Sequence, residues 1–137
     1  MTEFSAEFRV YIEDTDAGGI VYYANYLKFF ERARTEWLRN LGFEQSQLQL
    51  ENILFVVKSL QVDYQSSAKL DDLIEVTVGI KKITKVAIEL QQSVFLATQH
   101  SDAEKKLLAS ATIKLACIAA DTGKVAAIPT DVAAAMK

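Results

Sequence analysis

The spacing of hydrophobic and polar positions changes along this chain, and each change marks an element. Over residues 8–12, Phe8, Val10 and Ile12 alternate with Arg9 and Tyr11, the period of two that lines one face of a strand. From residue 24 to 41 the period becomes helical. Tyr26, Leu27, Phe30, Ala33, Trp37, Leu38 and Leu41 form one stripe, and Lys28, Glu31, Arg32, Thr35, Glu36 and Arg39 the opposite one. Gly42 follows as a C-terminal stop. A second short helix is expected over 44–51, then a strand over 55–64 in which Leu60, Val62 and Tyr64 alternate with Gln61 and Asp63. Extended segments follow at 73–83, 86–97 and 107–119. Thr130 and Asp131, after Pro129, are placed to cap a brief helix over 132–136.

The connections between the later strands are too short for parallel crossovers, so the pairing is expected to be antiparallel. The predicted architecture is α+β: one long central helix, inserted after the first strand, packed on a mainly antiparallel sheet of about five strands. One helix covers only part of a long, curved sheet. A second subunit is therefore expected to close the remaining apolar face or sheet edge.

Composition narrows the function classes. The chain has 137 residues, half of them hydrophobic, and one proline, which suits one folded domain spanning 1–137 rather than a disordered segment. A net charge of -3 gives no global attraction to nucleic acid or an anionic membrane. The first residues include Glu3 and Glu7 and lack a basic-then-apolar leader. No apolar run approaches the roughly 20 residues of a membrane span, so a soluble cytoplasmic protein is expected. With one cysteine, Cys117, and one histidine, His100, neither an internal disulfide nor the usual zinc ligand set is available, and no metal is expected.

Candidate chemistry concentrates in residues 13–26, where Glu13, Asp14 and Asp16 lead through Gly18 and Gly19 into the long helix. The glycines permit close approach. The first helix amides have no intrahelical acceptor and, with the helix dipole, favour the negative charge that builds on an attacked carbonyl. A carboxylate beside such amides suits acyl hydrolysis, although an isolated aspartate here also reads as a turn or cap residue. Asp14 reads either as an orienter of the loop or as a solvent-facing acid. Tyr22, Tyr23 and Tyr26 either line an acyl pocket or belong to the core, and Asn25 either polarises a ligand or caps the helix. Lys81, Lys82 and Lys85 crowd a predicted turn, His100 reads as an exposed loop residue, and Cys117 falls on an apolar strand face.

Three runs, DTDAGGIVYYANYLKFFERARTEWL, VVKSLQVDYQSSAKLDDLIEV and LACIAADTGKVAAIP, occur in that order and span nearly the whole chain. Together they resemble the hot-dog-fold acyl-CoA thioesterases, in the group of the 4-hydroxybenzoyl-CoA and Tol–Pal-associated enzymes. The resemblance implies hydrolysis of an acyl- or aroyl-CoA to free acid and coenzyme A. No cofactor is implied beyond the coenzyme A of the substrate. The second aspartate of the family's D-x-D-x-x-G pattern is its catalytic carboxylate and corresponds to Asp16, and the family's oxyanion donor is a main-chain amide that corresponds to Tyr23. Many Tol–Pal-associated members carry histidine at this position, so only the backbone role carries over. Gly18, Gly19, Tyr22, Asn25 and Tyr26 are the candidate substrate contacts read from their positions, the glycines reading equally as simple turn residues, and Lys85 corresponds to a family cation that contacts coenzyme A phosphate. The resemblance also implies a homodimer or homotetramer with sites between subunits.

A thiolate, with a pKa near ~8.5, leaves without much help from a general acid. The site therefore needs a polarised carbonyl and either direct attack by Asp16, giving a mixed anhydride, or a water activated by Asp16 as general base. Two other readings compete. A D-T-D run after a strand is also a phosphoryl-transfer pattern, but that chemistry requires an alternating parallel α/β chain that this order of elements lacks. The non-enzymatic alternative is an acyl-CoA-binding or scaffold module linked to envelope or phospholipid machinery.

Overall fold

A computed structural model of the chain describes residues 3–97 and 105–137. Strand β1 (Phe4–Arg9) leads through a short 3-10 turn (Ile12–Asp14) and a second one (Tyr23–Asn25) into helix α1 (Tyr26–Asn40). A short helix α2 (Gln45–Leu50) precedes β2 (Ile53–Tyr64), β3 (Leu73–Ile83), β4 (Ala87–Leu96) and β5 (Lys106–Ala119), and helix α3 (Thr130–Met136) closes the chain. The five strands form one sheet in the order β1-β3-β4-β5-β2, and every pairing is antiparallel. The expected α+β arrangement is thus the observed one.

Phe29 and Phe30 of α1 are fully buried with Ile74, Val76 and Val78 of β3, Ile88, Leu90 and Val94 of β4, and Leu108 and Ile113 of β5. Alternation along β3, β4 and β5 supplies one face of this core. Cys117 is buried with it, as its strand face suggests, and burial pushes its thiol up from the usual value.

The first strand departs from the expected bounds. It ends at Arg9, and Ile12, expected on a strand face, is 76% exposed in a 3-10 turn. Asp14 is responsible: its carboxylate accepts the Tyr11 amide at 2.8 Å and bends the chain away from the sheet.

Arg34 is absent from the apolar stripe only because it is charged: four residues from both Phe30 and Leu38, it lies on that same helix face. It is only 8% exposed, and its guanidinium donates to the Gln92 side-chain oxygen at 3.0 Å. The Gln92 amide in turn donates to the carbonyls of Phe30 (3.1 Å) and Thr77 (3.3 Å), tying α1 to the sheet through the core. Burial pulls the Arg34 guanidinium down from its usual value, opposed by the nearby Glu31. Gln92→Leu is expected to destabilise the fold by about 2–4 kcal/mol, because it removes the acceptor of a buried charge. Chemical denaturation measures this, and a loss below ~0.5 kcal/mol would make the bond dispensable.

Strand β2 forms one edge of the sheet. Its outer side pairs with nothing among the described residues over 12 residues, and it presents Val56, Val57, Leu60 and Tyr64 part-exposed.

Candidate active site

The loop that carries the acids is built around Asp14. This residue is 6% exposed, so its alternative as a solvent-facing acid is corrected by the structure. Its carbonyl oxygen accepts the Tyr22 amide at 3.0 Å and the Asn25 side-chain amide at 2.9 Å, while its carboxylate holds Tyr11. A buried carboxylate and carbonyl with their donors supplied are stable in place, and here they brace both ends of the loop.

Asp16 lies at the tip. Its amide donates to the Ile20 carbonyl at 2.9 Å, and its carbonyl accepts the Gly19 amide at 3.0 Å. One carboxylate oxygen accepts the Gly18 amide at 2.8 Å. Both glycines are explained by this turn. A Cβ on Gly18 would lie 3.2 Å from that same carboxylate oxygen, and Gly19 takes a φ of +80°, a conformation costly for side-chain-bearing residues. The second carboxylate oxygen makes no hydrogen bond among the described residues.

Helix entry follows at once. The Tyr23 and Ala24 amides, at the start of the second 3-10 turn, find no acceptor among the described residues, as expected for the first donors of a helical run. Asp16, Tyr23 and Tyr26 border one cavity of about 340 Å³, together with Tyr64 and residues 65–67. Tyr26 is buried, and its hydroxyl oxygen accepts the Ala68 amide at 3.0 Å. Its phenol is pushed up by burial, against the Ala68 hydrogen bond and with a further upward push from Asp72. Tyr64 donates to the Tyr23 carbonyl at 2.9 Å.

Several expected site residues stand apart from this cavity. Asn25 occupies the N-cap position of α1 without a side-chain cap hydrogen bond and does not line the cavity; its side-chain amide donates to the Asp14 carbonyl instead. Tyr22 is exposed and packs against Tyr23, with ring centroids 5.0 Å apart. Gly18 and Gly19 shape the turn rather than the lining. Lys85 follows the far end of the 11-residue β3, about 35 Å along the strand from the loop that packs beside Asp16. His100 lies outside the described residues. Periodicity missed Tyr64 and residues 65–67 as site members, although they fall within the run VVKSLQVDYQSSAKLDDLIEV.

A family model described as the thioesterase-like superfamily matches residues 10–136. The chain belongs to that superfamily. An acyl-CoA thioesterase YbgC of Haemophilus influenzae is 45% identical to it, over 96% of this chain and 93% of that protein. A crystal structure of a hypothetical protein from Aquifex aeolicus superposes with a TM-score of 0.88 at 29% identity, covering 98% of this chain and 99% of the other. A mutant 4-hydroxybenzoyl CoA thioesterase, solved with 4-hydroxybenzoyl CoA, superposes with a TM-score of 0.86 at 21% identity, over 98% of this chain and 99% of that one. The helix and five-stranded sheet are thereby a hot-dog fold, as the sequence runs implied.

Proposed function

We propose that this superfamily member is an acyl-CoA thioesterase, hydrolysing an acyl- or aroyl-CoA to the free acid and coenzyme A. One observation carries the reading: Asp16, with one carboxylate oxygen unengaged, borders the same cavity as Tyr23, whose amide has no acceptor among the described residues. The identity to an acyl-CoA thioesterase supports the same chemistry.

In this reading the thioester carbonyl oxygen accepts the Tyr23 amide, which stabilises charge only as the tetrahedral centre forms. Gly18 holds one oxygen of Asp16 so that the other faces the carbonyl carbon or a water beside it. By direct attack, Asp16 forms the new C–O bond as the C–S bond breaks, and water then cleaves the mixed anhydride, releasing the acid and restoring the carboxylate while a water proton goes to the thiolate. By the general-base route, Asp16 takes a proton from the attacking water as the water oxygen forms the C–O bond, and passes that proton to the departing thiolate. Coenzyme A belongs to the substrate, and the chemistry needs neither metal nor cofactor. Thiol release from a panel of aliphatic and aromatic acyl-CoAs tests the proposal. Failure to hydrolyse any member would overturn it.

The cavity is open in a single chain, and we assign its remaining wall to a second subunit. An antiparallel two-fold pairing of β2 with its copy would cover the exposed Val57 and Leu60 and remove the open edge. It would also reverse the partner's strands, bringing the partner subunit's Lys85 to the end of the sheet where Asp16 lies. Lys85 then meets coenzyme A phosphate across the interface. Lys85→Ala is expected to raise KM several-fold with kcat nearly unchanged, and the defect should shrink at high salt. Equal KM values at every ionic strength would return Lys85 to the solvent. No helix among the described residues is long and apolar enough to cross a membrane.

A further inference from the structure

The peptide run that offers the free amides is gripped from two sides. From below, the Asp14 carbonyl accepts both the Tyr22 amide and the Asn25 side chain. From the end of β2 a single side chain reaches it: the Tyr64 hydroxyl, from 41 positions along the chain, donates to the Tyr23 carbonyl at 2.9 Å. That carbonyl lies one peptide beyond the Tyr23 amide and belongs to the peptide that carries the Ala24 amide.

Tyr64 is held firmly enough to act as a fixed strut. Its backbone pairs with Ala109 at the end of the β2–β5 ladder, and the next two amides, of Gln65 and Ser66, both donate to the Leu108 carbonyl. Its ring meets Tyr26 edge-on at 5.5 Å and Tyr23 at 6.1 Å with an interplanar angle of 86°, an arrangement favourable for aromatic pairs. Tyr26 is anchored in turn through the Ala68 amide. Burial, together with the neighbouring Tyr23 and Tyr26, pushes the Tyr64 phenol up, and its ordinary value of about 10 already leaves it a donor at neutral pH.

We infer that Tyr64 is a positioning residue for thioester hydrolysis, setting the Tyr23–Ala24 amides against the carbonyl through its hydrogen bond to the Tyr23 carbonyl. The inference rests on the thioesterase reading proposed for this site. It assigns Tyr64 no contact with the reacting atoms and no proton transfer. An oxyanion donor acts only over hydrogen-bond distance, so a small displacement of the 22–25 run lowers mainly kcat, while binding through the rest of the substrate is retained.

Tyr64→Phe keeps the ring and both edge contacts and removes only the donor. With an acyl-CoA that the wild-type protein hydrolyses, the expected result is a kcat lower by about 10- to 50-fold and a KM within about threefold of wild type. Thermal midpoint and sedimentation should be unchanged. Replacing Tyr64 with 4-aminophenylalanine restores an N–H donor at the same place and should recover several-fold of the lost turnover. A Phe variant within twofold of wild-type kcat overturns the inference, and so does a 4-aminophenylalanine variant no better than Phe, which would make ring packing the whole effect. A wild-type protein active on acyl-CoAs but indifferent to Tyr64 leaves the parent reading standing. One inactive on every acyl-CoA ends both.

Discussion

Asp16→Asn is expected to lower kcat for thioester hydrolysis by about 10³-fold, with fold and assembly intact. Asparagine has the same shape and keeps a side-chain oxygen to accept the Gly18 amide, so the turn that passes through Gly19 retains its hydrogen bonds. What disappears is the charge needed either to attack the thioester carbonyl or to take a proton from water. Both routes fail together, which is why the expected loss is large whichever one operates. Residual turnover would come from the Tyr23 amide polarising the carbonyl for unassisted water. Thiol-release kinetics read the effect, with circular dichroism and sedimentation as controls for fold and assembly. Turnover within about tenfold of wild type would remove Asp16 from the chemistry and leave it as a turn residue.

The second large effect concerns assembly. Val57→Asp combined with Leu60→Asp is expected to yield a folded monomer with little activity. Val57 and Leu60 are 43% and 40% exposed in the single chain, on an open groove that Phe30 and Ile113 also line, so aspartates there keep access to water. In an isologous pairing, however, each substitution occurs twice across the two-fold, and four carboxylates meet at one seam. If the site is shared as proposed, the monomer keeps Asp16 and the Tyr23 amide but loses the wall and the cation assigned to the partner. Sedimentation at micromolar concentration, run beside an activity assay, gives the answer. A variant that stays dimeric would place the interface elsewhere on the molecule, and a fully active monomer would confine the whole site to one chain.

Periodicity read the sheet well where both faces of a strand have distinct surroundings. Strand β3 matches its expected bounds of 73–83, and β4 and β5 differ by a single residue at one or both ends. It misread β1, because the alternation of Phe8, Val10 and Ile12 continues past the point where the Asp14 carboxylate captures the Tyr11 amide. The spacing of Arg34 from Phe30 and Leu38 puts it on the apolar helix face, but its charge argued against a place in the core. A charged side chain enters a core only where an acceptor waits, and that acceptor, Gln92, lies 58 positions away. The helix start shifted for a related reason: residues 23–25 form a 3-10 turn held by Asp14 and Tyr64 before regular α-helix begins at Tyr26.

By itself, then, the sequence determined the order and type of the elements, the antiparallel pairing, and the run of acid, glycines and helix start that carries Asp16 and Tyr23. These are local properties, set by side-chain period, backbone freedom at glycine and the unpaired amides of a helix end. Only the tertiary structure decided which residues face Asp16. It brought Tyr64 and residues 65–67 to the cavity, turned Asn25 onto Asp14, left Tyr22 outside, and put Lys85 at the opposite end of the sheet. The reason is the range of the contacts: the bond from Tyr64 to Tyr23 spans 41 positions, and no periodicity within a single element encodes a partner on another.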